Sequence, residues 1–106
     1  MQLLVFSGTI PISYGGAQYN IPITMWIVDS YPFAPPQCFV TPTADMIITP
    51  KHKHVDSQGM CYFPYISSWN PNACNLVDLV GVMCKAFSET PPVRAQRSAR
   101  KLFRLF

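Results

Sequence analysis

The residues best equipped for chemistry crowd into one stretch, His52-Lys53-His54-Val55-Asp56-Ser57-Gln58-Gly59-Met60-Cys61-Tyr62. It offers two imidazoles, a carboxylate, a thiol and a phenol. Covalent catalysis would have to run through the thiol, because the thiolate is the attacking species and a thiol is far more acidic than a phenol. Tyr62, with an ordinary pKa of about 10, is neutral at pH 7 and a poor acyl carrier. In an extended segment neighbouring side chains point to opposite faces. Cys61 is therefore expected to aim away from the Tyr62 hydroxyl and to serve as a small packing residue. His52, His54, Cys61 and Cys74 are the candidate ligands for a metal. A His-x-His pair can bring two imidazoles together, but structural zinc uses tighter paired spacings, so loop histidines and no metal are the expectation.

These residues must be positioned by a small scaffold. The chain has 106 residues, 49% hydrophobic and 13% aromatic, enough for one modest core. Only 12% of residues are charged, which points to a surface partly covered by a partner or left partly bare. Five of the eight basic residues (Arg94, Arg97, Arg100, Lys101, Arg104) fall in the last stretch, leaving a body with three basic and five acidic residues. A basic tail on a near-neutral body is not the footprint of a nucleic-acid-binding domain. The four cysteines show no CxxC pairing, no signal peptide precedes them, and no apolar run approaches the roughly 20 residues of a membrane span. Reduced thiols in a cytoplasmic protein without a cofactor are the expectation.

Eleven prolines punctuate the chain. Leu3 to Ile12 reads as a strand, Ser13 to Ala17 as a turn built on paired glycines, and Tyr19, Ile21, Ile23, Met25 and Ile27 as one face of a second strand. Pro22 inside that strand marks an edge or a bulge. The proline-rich run Ser30 to Pro36 excludes helix and regular strand. Gln37 to Thr41 reads as a third strand, followed by a long irregular segment, Pro42 to Ser68, of the kind that carries function. A helix capped by Asn72 or Asn75 runs to about Phe87, with Leu76, Leu79, Val80, Met83, Cys84 and Phe87 on its buried face, and Pro91-Pro92 stops it. On a helical wheel of roughly 100° per residue, the basic residues of 94–106 share one arc and Ala95, Ala99, Leu102, Phe103 and Phe106 another. That is the pattern of a basic amphipathic helix, suited to an anionic membrane or a partner groove, although a frayed end or a helix packed on the body reads as well.

This order of elements resembles the ubiquitin-conjugating fold. Gly8-Thr9-Ile10-Pro11, Tyr19-Asn20-Ile21-Pro22-Ile23, Tyr31-Pro32-Phe33-Ala34-Pro35-Pro36, Lys53-His54-Val55-Asp56, Tyr62-Phe63-Pro64-Tyr65, Trp69 and Pro91-Pro92-Val93 are similar to one branch of it. That branch is the ubiquitin-conjugating enzyme variant (UEV) domain of the tumour-susceptibility/vacuolar-sorting subunit of ESCRT-I. The likeness covers about Leu4 to Val93. It implies an α+β fold, an antiparallel β-meander with a packed C-terminal helix. Residues 1–93 would form the domain and 94–106 a basic amphipathic tail. The family begins with a helix and a first strand, and this chain starts at what resembles the second strand, so an N-terminally truncated domain is expected.

The resemblance also implies a function. Conjugating enzymes carry Gly-x-x-Cys, and here the position three after Gly59 is Tyr62, with His54 where the oxyanion-stabilising Asn would stand. Histidine can still donate a hydrogen bond. Tyr62, Cys61 and His54 thus read as a vestigial site without catalysis. A groove for Pro-Thr/Ser-Ala-Pro peptides is implied at Thr9, Tyr14, Tyr19, Met46, Pro91 and Val93, with Arg94 and Ala95 at its rim. Proline-rich peptides enter such aromatic grooves as preformed extended helices. Arg94 replaces a family aromatic, which implies an altered peptide preference. Ubiquitin contacts map onto Trp26 and Phe39, weakened by the missing first strand. Other ESCRT-I subunits would be met through the full-length protein, peripheral to endosomes in the cytoplasm. The rival readings are a non-catalytic partner of a conjugating enzyme in non-degradative ubiquitin-chain synthesis, and a weak conjugating enzyme using Cys61.

Overall fold

A computed structural model describes residues 4–95. Strand β1 (Leu4–Tyr14) and strand β2 (Ala17–Ile27) form an antiparallel hairpin, and β3 (Gln37–Val40) adds to β2 to give the order β1-β2-β3. The hairpin is set by alternation and by its turn. Ile10 faces Ile21 and Ile12 faces Tyr19, while Gly15 and Gly16 take φ of 60° and 80°, the left-handed region that glycine enters without penalty. Pro22 fits the middle strand for a specific reason. Its carbonyl accepts from the Thr41 amide, so its nitrogen faces the same side, just past the end of β3 at Val40, and the one bond it cannot make is the return donation to Thr41.

Helix α2 (Leu76–Glu89) crosses the hairpin and closes the core. Asn75, not Asn72, caps it, accepting from the Asp78 amide at 2.8 Å while its own amide donates to the Asp78 carboxylate. Leu79, Met83 and Phe87 are fully buried against Ile10, Ile12, Ile21, Ile23 and Met25. Each such side chain stabilises the fold by about 1.5–3 kcal/mol through burial.

The stretch Pro42 to Ser68 is less irregular than its sequence suggests. It holds strand β4 (Met46–Ile48) and the short helix α1 (Pro64–Ser67), and residues 59–61 extend the main sheet beside β3. β4 pairs with β5 (Val93–Ala95), Met46 opposite Ala95 and Ile48 opposite Val93. Arg94 and Ala95, counted above into a helical tail, therefore lie in a strand; residues 96–106 lie outside the described residues. The proline-rich run 30–36 is a turn with a cis Tyr31–Pro32 bond. It is pinned to the end of α1 by Trp69, whose indole N–H donates to the Pro32 carbonyl at 2.7 Å. No described helix is long and apolar enough to cross a membrane.

Candidate functional site

The loop with the chemical side chains is built around Gly59. Its φ of 93° and its approach to Val40 require glycine, because a Cβ would sit 2.3 Å from the Val40 carbonyl oxygen. That approach lets the Val40 amide donate to the Gly59 carbonyl and the Cys61 amide to the Cys38 carbonyl. The segment becomes one more rung of the sheet, and strand alternation then divides its side chains. Cys61 turns into the core and is 4% exposed, while Tyr62 turns out and is 53% exposed.

The thiol is held far from a thiolate. Burial, with the neighbouring Cys38 thiol adding, pushes Cys61 up to about 12, and burial pushes Cys38 up to about 11. The Tyr62 hydroxyl donates to the Asp56 carboxylate at 3.0 Å, and that bond, followed by burial and the carboxylate charge, moves the phenol above its ordinary value. Asp56 itself organises the loop. Burial works to raise its pKa, but donation from the Met60 amide, the Tyr62 hydroxyl and the Gln58 and Gly59 amides outweighs this and holds the carboxyl below its ordinary value. The His54 ring donates from Nδ1 to the Tyr62 carbonyl at 3.0 Å and stacks on Phe63. Its Nδ1–H is thus committed to the backbone. His52 donates from Nε2 to the Thr90 carbonyl and accepts the His54 amide on Nδ1. Among the described residues no group of three or more His, Cys, Asp or Glu is arranged to hold a metal. The Cys74 sulfur accepts from the Asn70 amide.

The implied peptide residues form a second constellation. Tyr14 and Tyr19 are diagonal neighbours on the core-side face of the hairpin, each two residues beyond the last buried residue of its strand, Ile12 and Ile21. Lying past the end of α2, they are 50% and 51% exposed, although Tyr19 shares the alternating face of the buried Ile21 and Ile23. Met46, Val93 and Ala95 share one face of the β4–β5 ribbon, all half-buried, with Val93 packed on the core. Arg94 and Ile47 point from the opposite face. Pro91 is half-buried and fixed from behind, because Thr49 Oγ1 donates to its carbonyl at 2.8 Å and the Thr49 amide donates to that of Pro92. Thr9 does not join this group. Its side chain lies on the outer face of β1, opposite to Ile10 and Ile12, and the residue borders a separate cavity with Phe6, Met25, Leu76 and Val80. Trp26 and Phe39 share the outer face of the main sheet through the pairs Trp26–Gln37 and Thr24–Phe39. The part played by Thr49 and His52 in bracing the Pro91 wall was not legible in sequence, since both bonds span about forty residues of chain.

The chain is 46% identical over 92 residues to the human Tumor susceptibility gene 101 protein, a match covering 87% of this chain and 23% of that protein. It is 44% identical over 97 residues to Protein ELC of Arabidopsis thaliana, covering 92% and 24%. It thus spans about a quarter of the length of these curated relatives. Among solved structures it resembles the yeast vps23 UEV domain in complex with a vps27 PSDP peptide, with a TM-score of 0.70 and 28% identity, covering 88% of this chain and 64% of that one. The sequence profile of the UEV domain matches residues 1–95. The chain belongs to the UEV domain family.

Proposed function

We propose that the chain is a non-catalytic recognition module for Pro-Thr/Ser-Ala-Pro peptides, serving the endosomal sorting of ubiquitinated cargo from the cytoplasmic side. The observation that carries this reading is the pair Tyr14 and Tyr19, held half-exposed on a rigid hairpin. Two tyrosines with apolar rings and polar tips suit a proline-rich ligand. A relative of the same fold is solved with a PSDP peptide, which supports the ligand class. The groove is assigned to Tyr14, Tyr19, Met46, Pro91, Val93 and Ala95, with Arg94 on the outer side of its wall; Thr9 is left out. Trp26 and Phe39 form the surface proposed for ubiquitin, and other ESCRT-I subunits would be reached through the longer protein.

Catalysis has no support from the loop. The thiol is in the core and far from ionising, and Tyr62 is tied to Asp56. An NMR titration with a Pro-Thr-Ala-Pro peptide tests the main reading. Shift changes are expected at Tyr14, Tyr19 and Met46, and a spectrum unmoved at those residues would remove it. A charging reaction with activating enzyme, ATP and ubiquitin should give no thioester; a reducible adduct lost in Cys61→Ser would overturn the non-catalytic assignment.

A further inference from the structure

The two histidines behind the Pro91 wall are held in opposite ways. His54 donates from Nδ1 to the Tyr62 carbonyl at 3.0 Å and stacks on Phe63 with ring centroids 4.6 Å apart. Its Nε2 makes no bond among the described residues, so a second proton there disturbs nothing that His54 holds. His52 has both ring nitrogens engaged. Nε2 donates to the Thr90 carbonyl at 2.7 Å, and Nδ1 accepts from the His54 amide at 3.0 Å. A backbone amide only donates and a carbonyl only accepts, so these partners fix a neutral ring with its proton on Nε2. The ring is half-buried and stands edge-on to the fully buried Phe87, centroids 5.8 Å apart. Its bond to Thr90 holds the residue that caps α2 and leads into Pro91. The charged groups on the surrounding elements are Lys51 and Lys53 in its own loop, Lys85 and Glu89 on α2, and Arg94 on β5, all exposed. Asp56, further along the loop, is taken up by the Gln58 and Met60 amides and the Tyr62 hydroxyl. Among the described residues none of these side chains bonds to His52, and the titratable ring facing it is that of His54, 6.1 Å away.

We propose, on the peptide-recognition role given above, that His52 is a positioning residue of the groove whose brace on the Pro91 wall is released by a proton. A proton added to the neutral ring goes on Nδ1, where it points at the His54 amide hydrogen. Two donors then face each other, and that bond is lost. Both bonds pass through one rigid ring, so a ring that turns away from the His54 amide also leaves the Thr90 carbonyl. The wall is then held from behind by Thr49 alone. The sign follows from where the proton fits. The braced arrangement excludes it and the released one accepts it, so lowering the pH moves the chain towards the released one. Imidazoles are the side chains whose ordinary titration lies between about pH 5 and 8, and the chain has two, His52 and His54. Only His52 loses a bond on protonation, so the pH response is assigned to it.

The test has two arms, both on the full chain. The first is affinity for a Pro-Thr-Ala-Pro peptide with blocked ends, by fluorescence anisotropy, at about pH 7.5 and about pH 5.5. The parent should bind about fivefold more weakly at the lower pH, the worth of one hydrogen bond. His52→Gln does not titrate and keeps a side-chain amide able to donate to Thr90, so it should bind equally at both. His54→Gln should keep the fall. A parent affinity that is flat with pH, a fall that survives in His52→Gln, or one that vanishes in His54→Gln would overturn the proposal. The second arm needs neither peptide nor variant. Nitrogen-15 NMR of the parent should show the His52 proton on Nε2 alone at the higher pH, and the His54, Thr90 and Val93 amides should shift in step with the titration of that ring. A proton on Nδ1 at the higher pH, a ring that does not titrate in this range, or amides that stay still while it does would equally overturn it. A chain that binds no peptide at either pH would sink the recognition role itself, and the second arm would still decide whether a proton on His52 releases the wall.

Discussion

At the scale of single residues the loop at 54–62 is governed by Gly59 and Asp56. Gly59→Ala must fit a Cβ into the Val40 carbonyl oxygen from a backbone conformation that L-residues rarely adopt. It should cost about 2–4 kcal/mol, read as a lower urea midpoint with an unchanged slope. Asp56 gives a pH prediction with a definite sign. Its folded pKa lies below the ordinary 3.8, so its contribution is fully present above that value and is lost as pH falls through the folded pKa. Stability of the parent should therefore fall more steeply than that of Asp56→Asn as pH drops from 5 towards 3. Tyr62→Phe removes one of the bonds that depress Asp56, so the carboxyl should titrate at a higher pH in that variant, as followed by its carbon-13 shift. Parallel acid limbs for parent and Asp56→Asn would show that Asp56 does not couple to folding.

At the scale of elements, α2 is the strut and β4–β5 the wall. The cap at Asn75 is reciprocal with Asp78, so Asn75→Ala should lower stability by about 1 kcal/mol, measured by denaturant melts. The Pro91–Pro92 wall is braced from Thr49 and His52 rather than by its own short strand. Thr49→Val removes the hydroxyl donor to Pro91 with little change of shape. It should weaken peptide binding several-fold while leaving the melting transition within about 1 kcal/mol of the parent. The hairpin and α2 were legible in the sequence because their apolar residues repeat at two and at three-to-four over long runs, and because Gly15-Gly16 and Asn75 mark their ends. β4 and α1 were not. Met46–Ile48 and Pro64–Ser67 are too short to show a period, and they are fixed by distant partners, Val93–Ala95 and the loop under Trp69. The inward turn of Cys61 was legible from alternation alone. The exposure of Tyr19 was not, since it depends on where α2 stops covering the hairpin.

At the scale of the whole molecule, the proposed groove sits at the tip of a hairpin that the core holds in place. Tyr14 closes that tip, and the pairs Ile10–Ile21 and Ile12–Tyr19 lie between it and the core residues Met83 and Phe87, both fully buried. The two rings are presented by regular strand on one side and a glycine turn on the other, so a peptide is expected to dock without rearranging the fold. Tyr14 is half-exposed, so its removal should cost little stability. Tyr14→Ala should lose a Pro-Thr-Ala-Pro peptide by fluorescence anisotropy and keep a melting transition within about 1 kcal/mol of the parent. A variant that binds the peptide as the parent does would remove Tyr14 from the groove, and one that loses the cooperative transition along with the peptide would make the ring structural rather than a groove wall.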